Sequence, residues 1–247
     1  MSERISLQHP EYLEITGPGG AVTRGADQEW FPEGWQRMAG CGPTAAAVVF
    51  AYLARAHAAL APLCPGDVSG RREFTALMCR VWDYVTPRHH GLNKPELMQR
   101  GMEAYAGARG IALSPARLEI PAARTKRPEY AAVARFVRDS LERECPVAFL
   151  NLHNGKVKDL DWWHWVTIVA LEGERAVILD SGRELEIDLA LWLETTRKRG
   201  GLVSALGVRP EEDITLAVAP RSECGALYRL ERGGALRAFP AREASLC

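Results

Sequence analysis

Two short blocks of this sequence hold residue types that do chemistry together. The first is GWQRMAGCGPTAAAVVFAYLA (34–54), in which Cys41 stands between Gly40 and Gly42 ahead of a run of alanines and aliphatic residues. The second is DLDWWHWVTIVALEGERAVILDSG (159–182), which contains His164 and Asp180. A thiol attacks as its thiolate, and the first turn of a helix offers unpaired N–H groups and the positive end of a dipole to that anion. The apolar run after Cys41 reads as such a helix, so Cys41 sits where it would receive this help. Gly40 and Gly42 carry no side chains and would let a substrate backbone approach the sulfur.

A thiol also needs a base, and His164 is the best placed of six histidines. Strand alternation puts His164, Val166, Ile168 and Ala170 on one face and Trp163, Trp165, Thr167 and Val169 on the other. A three-residue turn at Glu172, Gly173 and Glu174 would pair Val166 with Asp180 and set His164 diagonally from Asp180 on the same face. A one-residue slip would point the carboxylate away. An aspartate against an imidazole fixes its tautomer and stabilises its cation, leaving the other ring nitrogen to take the thiol proton. An oxyanion would be met by the Cys41 N–H and by the Gln36 side-chain amide. Trp162, Trp163 and Trp165 surround the base. The functional reading has one indole over the His–Asp bond and another as a substrate wall, with Trp163 and Trp165 the substrate-binding candidates; the favoured alternative has two in the core and one at the rim. His153, in NLHNG, ranks second as a base. Cys41, His164 and Asp180 are also zinc-ligand types, but the compact pair spacings of known zinc motifs are missing.

The elements that must position these residues follow from periodicity. Helices are expected over 43–57, 72–85, 93–107 with Asn93 as cap and Glu96 three residues on, 129–144, and 189–198 with Asp188 as cap. From Pro146 the runs PVAFLNL, HWVTIVAL, RAVILDSG, GLVSALGV and DITLAVAP read as strands. Helices first and strands second imply an α+β fold with an antiparallel sheet packed against the helical half. The Gly-rich segment before Trp30 reads as an irregular arm.

The pattern Q-x4-CGPTAAA, a later HWV and an LD in the next strand together resemble the papain-like cysteine peptidases. The nearest branch is the bacterial peptidases that remove double-glycine leaders, with their stand-alone relatives. The resemblance covers roughly residues 30–207. It implies a papain-like domain over 1–247, with an arm (1–29), a mainly helical half (30–145) carrying the nucleophile helix, and a mainly β half (146–247). By the same resemblance Cys41 is nucleophile, His164 base and acid, Asp180 the orienting residue and Gln36 the oxyanion donor. No cofactor and no metal are implied, and the substrate is a peptide or related amide or acyl compound. Acyl transfer by the same residues, or a catalytically inactive peptide-binding module, are the alternatives.

Composition narrows the partners. Lys plus Arg and Asp plus Glu number 31 each over 247 residues, so no overall field draws nucleic acid or an anionic membrane. The basic clusters RTKRP (124–128) and RKRG (197–200) read as solvated loops and helix ends, and His89–His90–Gly91 as an exposed turn. The N-terminal MSERISLQHPEYLEI has no apolar core of the secretory kind, and the longest apolar run is too short to insert in a membrane. A cytoplasmic location is expected, with the six cysteines reduced. Oligomeric state is not readable from the sequence.

Overall fold

A computed structural model describes residues 3–88, 91–207, 227–230 and 236–239. The strand expected over DITLAVAP, Cys224, Cys247, His89 and His90 lie outside them. In chain order come β1 (Arg4–Ser6), the hairpin β2 (Glu14–Thr16) and β3 (Val22–Arg24), the short helix α1 (Gly34–Ala39) and the long helix α2 (Cys41–Ala56). Then follow α3 (Arg71–Trp82), α4 (Pro95–Gly107), β4 (Ala116–Ile120) and α5 (Tyr130–Leu141). The second half holds β5 (Val147–Asn151), β6 (His164–Glu172), β7 (Arg175–Asp180), β8 (Arg183–Asp188), α6 (Leu189–Thr195) and β9 (Gly200–Ser204), with a separate hairpin of β10 (Leu227–Leu230) and β11 (Leu236–Phe239).

The fold is α+β, and every pairing in its main sheet is antiparallel. The strand order is β4-β9-β5-β6-β7-β8, and β1 pairs with β6 where β5 ends. Residues 42–53 of α2 are all buried, so this helix is apolar all round and must be wrapped by other elements. It packs on β5 and β6 on one side and on α3 and α4 on the other. The stacked rings of Phe50 and Tyr105, 4.5 Å between centroids, join α2 to α4.

Several elements differ from the sequence reading. Asn93 is not a cap: α4 starts at Pro95 with Lys94 at its N-cap and no side-chain cap bond. Asp188 does cap α6, its Oδ1 accepting from Leu191 N at 2.7 Å, but that helix stops at Thr195. β4 lies inside the half expected to be helical, as an edge strand whose exposed side chains alternate with half-buried ones. The arm is partly regular, because β1 extends the sheet and β2 pairs with β3. Arg127 of the RTKRP cluster is not a free surface charge; its guanidinium donates to the carbonyls of Pro121, Ala122, Leu193 and Thr196. Among the described residues no helix is long and apolar enough to cross a membrane, and Cys41, Cys64, Cys79 and Cys145 are free thiols.

Candidate active site

Cys41 occupies the first position of α2, with Gly40 at the N-cap. Cys41, Thr44, Ala45 and Val48 share one face of the helix and border a small hollow of about 20 Å³, together with His164 to Thr167 of β6, Leu179 and Asp180 of β7, and Ala26 and Gln28 of the arm.

His164 and Asp180 meet as the alternation requires. His164 Nε2–H donates to Asp180 Oδ1 at 2.8 Å, and Ser181 Oγ donates to the same oxygen at 2.9 Å. The register that permits this arises differently from expectation. The turn between β6 and β7 has two residues, since Glu172 pairs with Arg175, rather than three. A bulge between Ile168 and Ala170 then inserts the missing residue, so that Thr167 pairs with Leu179, the register in which Val166 and Asp180 are the next residues along the two strands. The bulge also moves Ala170 off the face it was expected to share with His164, because its partner Val177 and the partner of Ile168, Ile178, point to opposite sides.

Beyond Asp180 the chain reverses through Ser181 and Gly182, whose φ values of 49° and 73° fit a two-residue hairpin turn of the primed kind. The arm clamps that turn: Gly182 N donates to Ala26 O at 3.2 Å, and Arg24 N donates to Gly182 O at 3.1 Å. The arm therefore helps to hold the carboxylate in place.

Burial pushes the His164 imidazole down, but its hydrogen bonds to Asp180 and to Cys41 and its electrostatic interaction with these two neighbours outweigh it and raise the imidazole to about 10. Burial pushes the Asp180 carboxyl up, and the bond to His164, its positive charge and the Ser181 hydroxyl outweigh that and hold the carboxyl below its ordinary range. An ionised carboxylate only accepts, so Nε2 carries a proton and Nδ1 is the ring nitrogen left for the thiol. The imidazole stands between Cys41 and Asp180, so these residues do not converge on a single ion, and among the described residues no three His, Cys, Asp or Glu side chains form a metal-binding group.

Gln36 does not border the hollow. It sits at the third position of α1, where its Oε1 accepts from Glu33 N in a capping box. The glutamine at the hollow is Gln28, in a short 3-10 turn started by the Asp27 carboxylate accepting from Glu29 N. Gln28 Nε2 donates to Arg37 O at 2.8 Å, which spends one of its two amide protons and leaves the other for a ligand. Nothing in the spacing of Gln28 from Cys41 marks it in the sequence; the only local signal is Asp27 as a turn cap. Gln28 Oε1 and Thr44 Oγ1 are buried without a partner, and both residues border the hollow. An unpaired buried polar group costs about 1–3 kcal/mol, which a hydrogen-bonding group entering the hollow would relieve.

The two glycines expected to admit substrate serve internal packing. A Cβ on Gly40 would stand 2.6 Å from the Phe31 ring, and one on Gly42 2.7 Å from Leu92 Cδ2. Of the tryptophans, Trp165 is core, 3% exposed, with its indole N–H donating to Leu92 O at 2.5 Å. Trp162 and Trp163, 64% and 42% exposed, stand at the surface beside His164. His153 accepts from Gly155 N and Arg197 N through Nδ1 and so shapes a loop rather than serving Cys41. No family model matches the chain, and no curated protein matches it.

Proposed function

We propose that the protein is a papain-like cysteine hydrolase that opens a peptide or related amide bond through an acyl-enzyme on Cys41. The observation that carries this reading is the relay of Cys41, His164 and Asp180, with the imidazole fixed by the 2.8 Å bond from Nε2. In the proposed reaction the proton of the thiol already rests on His164 Nδ1, where the raised imidazole retains it, and sulfur attacks the substrate carbonyl carbon. The carbonyl π electrons move to oxygen, where the first-turn N–H groups of α2 and the remaining Gln28 amide proton meet the charge. The C–N bond then breaks, and the leaving amine takes its proton from His164. A water molecule, deprotonated by His164, attacks the thioester, and the acid leaves as the thiol is restored. The proposal places the enzyme in the cytoplasm, where free thiols persist.

Limiting iodoacetamide at mildly acidic pH, with adducts located by mass spectrometry, tests the reading. Cys41 is expected to label ahead of the half-buried Cys79, and the preference is expected to vanish in His164→Ala. Equal labelling of the two thiols in the native protein overturns it. An added amine that captures the acyl group in place of water would move the reading to acyl transfer by the same residues.

A further inference from the structure

Beside the catalytic hollow lies an open groove of about 570 Å³ with a character of its own. Its floor is apolar, from Ile120, Pro121 and Leu152, and Trp163 forms one wall. Arg197, Lys198 and Arg199 line the rim, all exposed and, among the described residues, in no ion pair. Glu119, the acidic side chain in the lining, is paired with Arg117 at 3.3 Å. Because the whole chain has no net charge, this positive rim is a local feature.

The groove is also braced. Arg127 donates to Pro121 O and Ala122 O on one bank and to Leu193 O and Thr196 O on the other, so one guanidinium holds the two banks at a fixed separation. Lys198 Nζ stands 4.7 Å from the Trp163 ring centre and 5.6 Å from that of Trp162, which holds this cation at the groove's mouth. Trp163 directly precedes His164, about 3.8 Å away along the backbone. A Cβ on Gly91 would stand 3.8 Å from Trp163 Nε1, and the next residue, Leu92, packs on Gly42 beside the nucleophile. A chain lying in the groove therefore reaches the catalytic residues within a few of its own residues.

We infer that this groove binds an acidic segment of the peptide substrate, aliphatic side chains on the floor and carboxylates on the Arg197–Arg199 rim. The inference rests on the hydrolase reading for the bond that is cut, but not for the binding. Charge complementarity selects the occupant, and the other side of His164 excludes a polyanion. A second hollow there, of about 380 Å³ and bounded by Trp162, carries Asp27, Glu29 and Asp161. A nucleic-acid backbone crossing the cleft would meet these carboxylates, whereas a peptide acidic only along one segment would not.

The test uses the Cys41→Ser protein and a fluorescein-labelled heptapeptide alternating Glu and Leu, read by fluorescence anisotropy against the same peptide with Lys for Glu. The Glu peptide is expected to bind, to weaken as salt rises, and to lose about tenfold or more in affinity in R197Q/K198Q/R199Q; the Lys peptide is expected not to bind. Equal binding of the two peptides, unchanged binding in the triple variant, or equally strong binding of a single-stranded oligonucleotide overturns the inference. In the wild-type protein, saturating Glu peptide should slow iodoacetamide labelling of Cys41; binding without protection would detach the groove from the site and also overturn it. Binding to the groove with a Cys41 that labels no faster than Cys79 would instead carry the groove and sink the hydrolase reading alone.

Discussion

Replacing Asp180 with alanine tests the site where its two halves join. The side chains of His164 and Asp180 are 15% and 8% exposed, so the bond between them is shielded from water. A hydrogen bond to a charged partner is worth about 1.5–3 kcal/mol, and removing one member of a buried pair costs about 3–5 kcal/mol when the survivor must stay charged. His164 can shed its proton, because burial pushes the imidazole down once Asp180 no longer supports it. The lower range therefore applies, about 2–3 kcal/mol, which in a chain of this size lowers Tm by roughly 5–10 °C. The deficit must also depend on pH. The folded imidazole is raised above its unfolded value, so its share of the stability is complete below about 6.5 and is lost as pH rises through about 10. The folded carboxyl is lowered, so its share is complete above about 4 and is lost as pH falls through the depressed folded value. Urea unfolding of wild type and Asp180→Ala at a series of pH values should show the largest gap between about pH 4 and 6.5. A gap below about 0.5 kcal/mol, or one flat from pH 5 to beyond 10, would refute the reasoning by showing that solvent screens the pair.

Three further outcomes follow from the site. Gln28→Ala should lower kcat on a fluorogenic amide about 10²–10³-fold, whereas Gln36→Ala should keep turnover and cost α1 about 0.5–1 kcal/mol in thermal unfolding; the opposite ranking would return the oxyanion role to Gln36. Gly42→Ala should cost about 1–3 kcal/mol, because its Cβ would stand 2.7 Å from Leu92 Cδ2, with a change in tryptophan fluorescence as the Trp165 bond to Leu92 O is disturbed. Amide hydrolysis should fall as pH rises through about 10, because His164 must hold a proton for the leaving amine; an alkaline limb near the ordinary histidine value, seen in the pH-rate profile, would contradict that.

The sequence alone makes Cys41, His164 and Asp180 legible because each lies in a strongly patterned element, an apolar helix or a β-branched hairpin. It does not show which glutamine reaches the hollow. Gln36 has the attractive spacing but is used by its own helix, while Gln28 reaches the hollow through a long-range bond to Arg37 O that no local pattern encodes. Gly40 and Gly42 show a related limit: their lack of side chains is visible in sequence, but whether the space serves a substrate or a neighbour is decided by Phe31 and Leu92. β4 and β8 were hidden for another reason. Both alternate charged residues with aliphatic ones as edge strands do, and such segments carry little of the apolar signal that marks an inner strand.

The bulge in β6 has a consequence for how this hairpin can change. On either side of Val169 the strand runs in opposite phase, and β6 touches both α2 and α5. The end bearing His164 is thereby insulated from the length of the Gly173 turn. One residue removed at that turn can be taken up by flattening the bulge, without rotating the imidazole away from its carboxylate. The distal tip of the hairpin is thus open to variation that the end bearing His164 and Asp180 would not feel.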